Sequence, residues 1–508
     1  MNNGDILHMK TYLAITVFTF FIALYGCGKQ VAVSVDDHGF SAPTKLTADL
    51  NAAVEKELPL DDQQDFEEAR RGFIASDGNL KVVNPDIGTI WDQTAYTFME
   101  GKAPPSANPG LWRQARLNNI HGLFEVTKGI YQLRGFDLAN MTLIQGKNGW
   151  IVVDPLTAKE TSARAWAFAM QHLPPKPITA VIFTHSHIDL FGEAEIHFGV
   201  HNWPIWGNDR VVDFLKKQRD VYTYIHDQTV RMANAGLTPR EISAELEFPE
   251  SMRTTFSNRG YYGTLSHNAK AVYQFYFGWY DANPANLNPL PPVDSGKRYV
   301  QFMGGAESVL AKAQASFDKG EYRWTAEVLN HLVFAEPEND KARELLSRTY
   351  DQLGYQAESG PWRDVYLTGA YELRHGGPEK GLDISNAMEL LEQTPISKLL
   401  TSMAVRLNGP KADGKNLMIN LVFTDLNQSY VLHLENAVLH HKMAPPDPEA
   451  NATLNITHQM FLNMAMNTAG IKEFVFSDDV KIEGSKIDLI RFFTLLDRPK
   501  GRFNIVTP

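Results

Sequence analysis

The chain has almost no cysteine, because Cys27 is the single one among 508 residues. One cysteine excludes a framework of intrachain disulfides and any zinc site built from several thiolates. Basic side chains are also few, since 59 acidic residues outnumber 48 Lys and Arg and leave a formal net charge of −11. This balance gives no support for nucleic-acid binding, and it would repel a small anion unless local Arg or Lys residues offset it.

Long apolar runs are scarce as well, and the clearest one lies near the N-terminus at residues 13–24. Lys10 precedes the run and Gly26-Cys27 follows it, which is the pattern of a secretory signal. The ending Leu-Tyr-Gly-Cys is similar to a bacterial lipobox and predicts that Cys27 is lipidated as the first mature residue. A plain cleaved signal peptide and an uncleaved anchor remain alternatives. We therefore expect a periplasmic protein, held at the membrane by a lipid anchor.

A cluster of metal-ligand side chains follows an apolar strand in the middle of the chain. Residues 181–192 read VIFTHSHIDLFG, so the apolar run ends at Thr184 and gives way to His185, His187 and Asp189. Ligands of α/β proteins gather where parallel strands end, and imidazole and carboxylate groups suit zinc. The string predicts a hydrolytic metal site with Asp189 as its catalytic carboxylate. Taken alone, two histidines at this spacing are also compatible with a surface loop.

An earlier strand also ends in an acidic residue. Residues 146–155 read GKNGWIVVDP, a turn followed by a β-branched strand that ends in Asp154. Together the two strings resemble the signature of the metallo-β-lactamase superfamily, in which Thr-His-x-His-x-Asp-His-x-Gly-Gly follows a strand and an earlier strand ends in Asp. The resemblance implies an αββα sandwich that binds two zinc ions.

Longer strings make the resemblance more specific, and the chain is similar to the alkylsulfatases of that superfamily from about Arg70 onward. The family implies zinc-dependent hydrolysis of a primary alkyl sulfate ester, such as dodecyl sulfate, to alcohol and sulfate. The strings are HNWPIWGNDRVVDFLKKQRDVYTYIHDQTVRMANAG at 201–236, RGYYGTLSHNAKAVYQFYFGWYDANPANLNPLPP at 259–292, GEYRWTAEVLNHLVFAEPEND and LGYQAESGPWRDVYLTGAYELR.

The chain departs from the family pattern at the site itself. Leu190 stands where the family has a second histidine after the aspartate, and Glu193 stands where it has a second glycine. Only residues 193–200 separate the motif from the His-x-Trp-Pro string, whereas the family has a long segment there with two acidic ligands and much of the sulfate pocket. We therefore expect one zinc ion or none in place of two. The remaining candidate metal ligands are His185, His187, Asp189 and His201.

Two further residues are candidates for contacts with sulfate oxygens. Arg259 and His267 flank the string Gly-Tyr-Tyr-Gly, which indicates a loop of special backbone geometry, and the family implies that this loop borders the active site. Both side chains are equally compatible with a structural role.

These observations predict an alkylsulfatase whose activity is impaired by the missing ligands. A non-catalytic dimeric relative that binds amphiphiles is the alternative, and an internal deletion or a faulty gene model would leave apolar strands exposed, because their pairing partners are lost. In either case the expected ligand is an alkyl sulfate or another amphiphile.

The fold class predicted from these patterns is α/β. Its parts are a truncated metallo-β-lactamase-like αββα sandwich, a helical dimerisation domain and a C-terminal sterol-carrier-like α+β domain. The family implies a homodimer, and the alternative is a helical cap packed on its own subunit. The predicted boundaries are 1–27 for the signal, 28–59 for a tether, 60–297 for the catalytic domain, 298–376 for the dimerisation domain and 382–508 for the alkyl-binding domain.

Overall fold

The computed structural model divides into two compact units. The first comprises Met1–Arg374 together with Val506–Pro508, and the second comprises His375–Ile505. The predicted site residues Cys27, His185, His187, Asp189 and His201 lie outside the residues that the structure describes. The described residues are 35–37, 39–85, 88–182, 196–197, 203–379, 391–465, 480–497 and 501–508.

Strands and helices are mixed in the first part of the first unit. In chain order they are α1 (Lys45–Glu57), α2 (Gln64–Arg70), β1 (Phe73–Ala75), β2 (Lys81–Asn84), β3 (Gly88–Asp92), α3 (Pro109–Asn118), β4 (Gly122–Thr127), β5 (Ile130–Arg134), β6 (Met141–Gln145), β7 (Trp150–Val153), α4 (Lys159–His172), β8 (Ile178–Ile182), β9 (Ile196–His197) and β10 (Ile205–Trp206).

A six-stranded sheet in the order β1-β4-β5-β6-β7-β8 organises this part of the unit. All neighbours are antiparallel except β7 and β8, which run parallel because α4 connects them. Residues 123–154 alternate β-branched and aromatic residues with turn signals, which is the sequence pattern of antiparallel strands, and they form the larger part of β4 to β7. One face of the sheet buries Leu123, Leu133, Leu143 and Trp150 against Phe168 of α4.

The last strand of the sheet, β8, is exposed along its whole length. Ile178, Val181 and Ile182 each leave 46–47% of their surface in solvent. The sequence favours a buried inner strand here, because its residues are apolar and β-branched. The structure differs from this expectation, and within the described stretches β8 is the last strand of the sheet.

Helices make up the rest of the first unit. Those from α10 to α13 confirm the helical pairs expected in this region, and their buried core includes Leu329, Leu332 and Leu346. Within the described stretches, none of the helices has the length and apolar composition needed to cross a membrane. The helices are α5 (Asn208–Asn234), α6 (Pro239–Glu245), α7 (Glu250–Arg253), α8 (Leu265–Phe277), α9 (Pro292–Phe302), α10 (Ala306–Asp318), α11 (Tyr322–Ala335), α12 (Asp340–Gln356) and α13 (Gly360–His375).

The segment expected to be a tether, residues 28–59, instead contains helix α1 and packs against α12. The side chain of Asn51 donates to the carbonyl oxygen of Tyr355 at 3.1 Å. The backbone N–H of Ser41 donates to the buried carboxylate of Asp351 at 2.8 Å. The amino-acid composition of the segment does not predict this packing, because buried polar contacts hold the segment in place more than an apolar stripe does.

The second unit is built on a five-stranded sheet. Its elements are α14 (Ile396–Val405), α15 (Gly409–Ala412), β11 (Leu417–Phe423), β12 (Gln428–Glu435), β13 (Val438–Met443), β14 (Ala452–Ile456), α16 (His458–Ala465), β15 (Val480–Gly484) and α17 (Lys486–Thr494). The strand order is β13-β12-β11-β14-β15, and only β11 and β14 run parallel. One face of the sheet buries a single core with α14, α16 and α17, which includes Leu400, Phe423, Phe461 and Phe492.

Candidate active site

Three strands of the first sheet end at one edge. Because β6 is antiparallel to both β5 and β7, and β8 is parallel to β7, the carboxyl ends of β5, β7 and β8 lie on the same side. The backbone N–H of Asp154 donates to the carbonyl oxygen of Ile182 at 2.9 Å, which joins the ends of β7 and β8. The candidate ligand string begins three residues after Ile182. Ligand sites of α/β proteins form at such an edge.

The backbone just after β7 is conformationally unusual. Asp154 and Leu156 both have positive φ values, 52° and 71°, which side chains other than glycine rarely adopt. Asp154 is also buried. Such positions concentrate at functional sites, where the surrounding structure holds them against the local strain. The positive φ values and the burial of Asp154 are therefore typical of a turn at a functional site.

The carboxylate of Asp137 ties the segment after β5 to the segment after β7. Its Oδ1 accepts from the hydroxyl of Thr157 at 2.5 Å, and its Oδ2 accepts from the Thr157 backbone N–H at 3.1 Å. Oδ2 also accepts from the hydroxyl of Thr161 at 2.5 Å, in the first turn of α4. Asp137 thus holds two of the strand-end segments in one arrangement.

Arg134 ends strand β5 at this same edge, and sequence reasoning missed it. Its side chain is only 4% exposed, and its guanidinium lies 3.5 Å from the ring centroid of Phe124. Among the described residues, Nε and Nη2 have no hydrogen-bond partner. Burial lowers the pKa of Arg134 to about 9. The sequence shows only a cationic residue at a strand end, next to Gly135. Its burial could not be predicted, because it depends on the contact with Phe124 in the neighbouring strand.

Arg259, one of the two candidate sulfate contacts, forms an ion pair inside the protein. Its Nε donates to the carboxylate of Glu358, and Nη1 donates to the carbonyl oxygen of Arg253 at 2.9 Å. The same loop is held by Ser359, whose hydroxyl donates to the carbonyl oxygen of Tyr262 at 2.5 Å. The described contacts of Arg259 therefore position the loop against the start of α13.

His267, the other candidate contact, lies in the first turn of α8. Its backbone N–H donates to the hydroxyl of Thr264 at 2.9 Å, which is an N-cap interaction. Its ring packs edge-on against Trp362, with the centroids 6.4 Å apart. The structure places Arg259 and His267 in one loop-and-helix segment that packs on α13, and a role in sulfate binding stays a prediction for both.

The candidate metal ligands have the right chemistry for zinc. Three imidazoles and one carboxylate can supply the three or four donors of a zinc site. Within the described residues, no group of three or more His, Cys, Asp or Glu side chains is suitably placed to hold a metal ion. The predicted set His185, His187, Asp189 and His201 lies outside those residues, so a metal site would depend on that set.

Three family models match successive parts of the chain. The metallo-beta-lactamase superfamily model matches residues 134–270, the alkyl sulfatase dimerisation model matches 238–376, and the alkyl sulfatase C-terminal model matches 385–508. A linear primary-alkylsulfatase from Pseudomonas sp is 34% identical over 92% of this chain and 93% of its own length. This chain belongs to the alkylsulfatase family. The metallo-β-lactamase match begins at Arg134 and includes Asp154, Arg259 and His267.

Other alkylsulfatases agree with this assignment. The alkyl/aryl-sulfatase BDS1 of Saccharomyces cerevisiae is 34% identical over 92% of this chain and 96% of its own length. An (R)-specific secondary-alkylsulfatase from Pseudomonas sp is 33% identical over 94% and 96%. Among solved structures, the stereoselective inverting sec-alkylsulfatase Pisa1 from Pseudomonas sp. superposes with a TM-score of 0.86 at 32% identity. The superposition covers 93% of this chain and all of that one.

These comparisons confirm the predicted α/β fold class. The metallo-β-lactamase domain, the dimerisation domain and the C-terminal domain of the alkylsulfatases are all present. The dimerisation domain also supports the predicted homodimer.

Proposed function

We propose that this chain hydrolyses alkyl sulfate esters to an alcohol and sulfate, with a metal ion as cofactor. The observation that carries the proposal is the similarity to alkylsulfatases over more than nine-tenths of the chain, in sequence and in fold. The substrate class follows from the activities that give those relatives their names. A primary ester with a long alkyl chain, such as dodecyl sulfate, is the substrate we would test first.

The proposed metal is zinc, and His185, His187, Asp189 and His201 would hold it. Zinc held there would act as a Lewis acid that lowers the pKa of water and so makes hydroxide available at physiological pH. In the described part of the edge, Asp137 would keep the strand-end segments in place. The guanidinium of Arg134 would supply positive charge near the ends of β5 and β7, where an anionic ester could be stabilised electrostatically.

We further propose that the activity is impaired. The match with the linear primary-alkylsulfatase extends over 626 aligned positions, which exceeds the 508 residues of this chain by 118. At least that many positions of the alignment therefore have no residue in this chain. The short join at residues 193–200 is where the sequence pattern puts the gap. Loss of metal ligands and of their supporting groups commonly lowers affinity or activity by roughly 10–100-fold each.

The decisive experiment measures metal content and sulfate release together on the purified full chain. Bound zinc with measurable sulfate release from dodecyl sulfate supports the enzyme, and both should be lost in His187→Ala. His226→Gln is the matched control, because His226 lies on α5 and bonds to Asp227 and Tyr276 at 2.8 Å each. Absence of both zinc and release from the unsubstituted chain would reject the catalytic proposal.

A second candidate function is non-catalytic binding of amphiphiles. The alignment gap favours it, because a chain without the sulfate pocket would still retain the C-terminal domain. The family model of that domain matches residues 385–508, and the second unit has a hydrophobic core of its own. Dodecyl sulfate binding without sulfate release would support this reading. Sulfate release at the rate of an intact relative would exclude it.

The proposed dimer would use the exposed aromatic surface of the dimerisation region. Exposed aromatic and aliphatic side chains cluster on and between α8 and α9, where a monomer would leave a large apolar area in water. Aromatic residues are enriched at protein interfaces. The most exposed members are Phe275, Tyr276, Trp279, Leu287 and Phe302.

We also propose that the mature chain is a periplasmic lipoprotein anchored through Cys27. The support is the signal-like sequence before that residue. Radiolabelled palmitate should enter the chain in a bacterial host and should be absent from Cys27→Ser. Equal labelling of the two chains would reject the anchor.

A further inference from the structure

Two aromatic side chains of α13 form a row that is only partly buried. The rings of Trp362 and Tyr366 lie one helical turn apart and edge-on, with their centroids separated by 6.5 Å. The ring of His267, in the first turn of α8, lies edge-on to Trp362 at 6.4 Å. Both rings of α13 are partly in solvent. The first half of α8 therefore lies beside the first half of α13, next to this row of rings.

Two exposed cations lie beside the row. Lys270 follows His267 by one turn of α8, and its side chain is exposed. Arg323 is exposed at the start of α11, and other residues of α11 share a buried core with Tyr366. The charge of Arg323 acts on both Lys270 and Tyr366, so its guanidinium lies near both side chains. We call Lys270, Arg323, Trp362 and Tyr366 the basic aromatic site.

The charges that act on Lys270 oppose its own charge. Burial lowers the pKa of Lys270, and the guanidinium groups of Arg323 and Arg240 lower it further. Its ammonium group makes a long hydrogen bond, to the hydroxyl of Ser266 at 3.4 Å. Like charges close together are unfavourable unless an opposite charge compensates them. Lys270 therefore has little compensation from the groups around it.

Lys102 shows how an exposed lysine of this chain is compensated elsewhere. Its ammonium group donates to the carboxylate of Glu55 at 2.9 Å, and this hydrogen bond raises its pKa. Carboxylates are not scarce, since the chain has 59 acidic residues and 48 Lys and Arg. An anion from outside the chain would supply to Lys270 what Glu55 supplies to Lys102.

We propose that the basic aromatic site binds an organic anion, whose oxyanion group contacts Lys270 and Arg323 and whose apolar part lies on Trp362 and Tyr366. Ammonium and guanidinium groups donate charge-assisted hydrogen bonds to sulfate, phosphate and carboxylate oxygens. An alkyl sulfate has both the anionic and the apolar part. The site differs from the proposed metal site, because none of its residues is a candidate metal ligand, and binding there does not depend on hydrolysis.

A second copy of the chain is the other source of negative charge. The surface proposed for the dimer lies on α9 and the end of α8, whereas Lys270 lies in the first half of α8 and Trp362 at the start of α13. Rings beside cations suit a ligand that is anionic at one end and apolar at the other. A carboxylate side chain of a second copy has no apolar part of that size.

The binding of octyl sulfate tests the role of the cations. Calorimetry on the full chain is done in the His187→Ala background, so that hydrolysis does not consume the ligand. Lys270→Gln and Arg323→Gln should each weaken binding by about tenfold or more, because each removes a charge-assisted hydrogen bond. Lys341→Gln is the matched control, since Lys341 is an exposed lysine of α12, and it should leave the affinity unchanged. Equal affinities of Lys270→Gln and Lys341→Gln, or no binding by the chain that carries His187→Ala alone, would overturn the proposal.

Inorganic sulfate separates the two parts of the site. The chain should bind octyl sulfate more tightly than inorganic sulfate, because only octyl sulfate has an apolar part for the rings. Trp362→Leu should weaken the binding of octyl sulfate and leave that of inorganic sulfate unchanged. Equal affinities of the unsubstituted chain for the two ligands would overturn the role of the rings.

The pKa of Lys270 is a readout that does not involve turnover. Nuclear magnetic resonance of isotope-labelled methyl groups on the lysines measures it, and the signal of Lys270 is the one absent from Lys270→Arg. Octyl sulfate should raise this pKa, because a nearby anion favours the charged form. An unchanged pKa at saturating octyl sulfate would overturn the proposal. Sulfate release is measured separately, so this proposal and the proposed hydrolysis fail independently.

Analytical ultracentrifugation separates ligand binding from a contact between two copies. Lys270→Gln should leave the dissociation constant of the dimer unchanged. If Lys270→Gln weakens the dimer and not the binding of octyl sulfate, the compensating charge comes from a second copy and the proposal is wrong.

Discussion

At the scale of single residues, Arg134 is buried at an energetic cost. Its guanidinium lies on the ring of Phe124, while Nε and Nη2 have no hydrogen-bond partner in the part of the chain that the structure describes. A buried cation without full compensation is unfavourable, because desolvation favours the neutral form. Arg374 is a useful contrast, since it is also mostly buried but forms two hydrogen bonds with the carboxylate of Asp351.

We expect Arg134→Met to raise the free energy of unfolding by about 1 kcal/mol or more, because it removes the uncompensated charge and keeps an apolar side chain on Phe124. Arg374→Met should instead lower it by about 3–5 kcal/mol, because Asp351 is left buried without its partner. Urea denaturation of both variants measures the difference. An equal loss of stability in the two would mean that Arg134 is as well compensated as Arg374.

His121 links the stability of the same region to pH. Its ring is largely buried, its Nε2 donates to the carbonyl oxygen of Asp77 at 2.9 Å, and burial lowers its pKa. The carboxylate of Asp77 acts on the ring in the opposite direction, and it forms an ion pair with Arg164. The folded protein therefore favours neutral His121.

The sign of the pH effect follows from proton binding. The unfolded chain protonates His121 near its ordinary pKa of 6.5, and the folded chain does so only at lower pH. Stability is complete above about pH 6.5 and falls as the pH decreases through the lowered pKa. Between pH 7.5 and pH 5, the unsubstituted chain should lose more free energy of unfolding than His121→Gln in urea titrations. Identical losses would contradict the assignment.

Sequence reasoning reaches the site only in part, for a physical reason. It finds residues whose chemistry is visible in a short string, as in the histidine motif after β8. It misses Arg134, whose burial depends on Phe124 in the neighbouring strand. It also leaves Arg259 undecided, because its partner Glu358 is 99 residues away in the chain.

At the scale of elements, helix α1 and the residues before it are joined to the helical region by one buried carboxylate. Asp351 accepts hydrogen bonds from the backbone N–H and the hydroxyl of Ser41, at 2.8 and 2.6 Å, and forms an ion pair with Arg374. One side chain thus compensates a buried cation and fixes the N-terminal segment.

We expect Asp351→Ala to lower the free energy of unfolding by about 3–5 kcal/mol, because it removes the carboxylate that pairs with the buried cation of Arg374. Ser41→Ala should cost about 1 kcal/mol, the net value of an ordinary hydrogen bond. Asp49→Ala is the control, because Asp49 forms an exposed ion pair with Lys45 and should cost less than about 0.5 kcal/mol. Urea denaturation would refute this account if Asp351→Ala and Asp49→Ala had equal effects.

The elements themselves were largely predictable, and the exceptions have a common cause. Alternation of apolar residues predicts β4 to β7, and helical periodicity predicts α5 and the helices from α10 to α13. Local pattern fails for α1, which polar contacts hold to α12, and for β8, whose apolar residues are exposed. In both cases the outcome depends on what else is present to pack against the element.

At the scale of the whole molecule, the chain combines the metallo-β-lactamase, dimerisation and C-terminal domains of the alkylsulfatase family. The order of domains follows from long strings of sequence that only related proteins share, so it was predictable. The exposure of β8 could not be predicted in this way, because its residues are apolar and β-branched like those of a buried strand.

The aromatic surface on and between α8 and α9 is tested by a charged substitution at its most exposed side chain. Phe302→Glu should convert the dimer to monomer, because the side chain is 92% exposed in the single chain and a carboxylate resists burial in an apolar interface. A loss of about 1.4 kcal/mol or more raises the dimer Kd at least tenfold.

Tyr222→Glu is the control for this substitution, because Tyr222 is also exposed but lies on α5, before the residues matched by the dimerisation model. Analytical ultracentrifugation should show a monomer for Phe302→Glu and a dimer for Tyr222→Glu at the same concentration. If Tyr222→Glu dissociates the dimer and Phe302→Glu does not, the two-fold contact involves α5 rather than the surface of α8 and α9. The proposed dimer interface would then have to be moved to α5, and the aromatic surface of α8 and α9 would need a different binding partner.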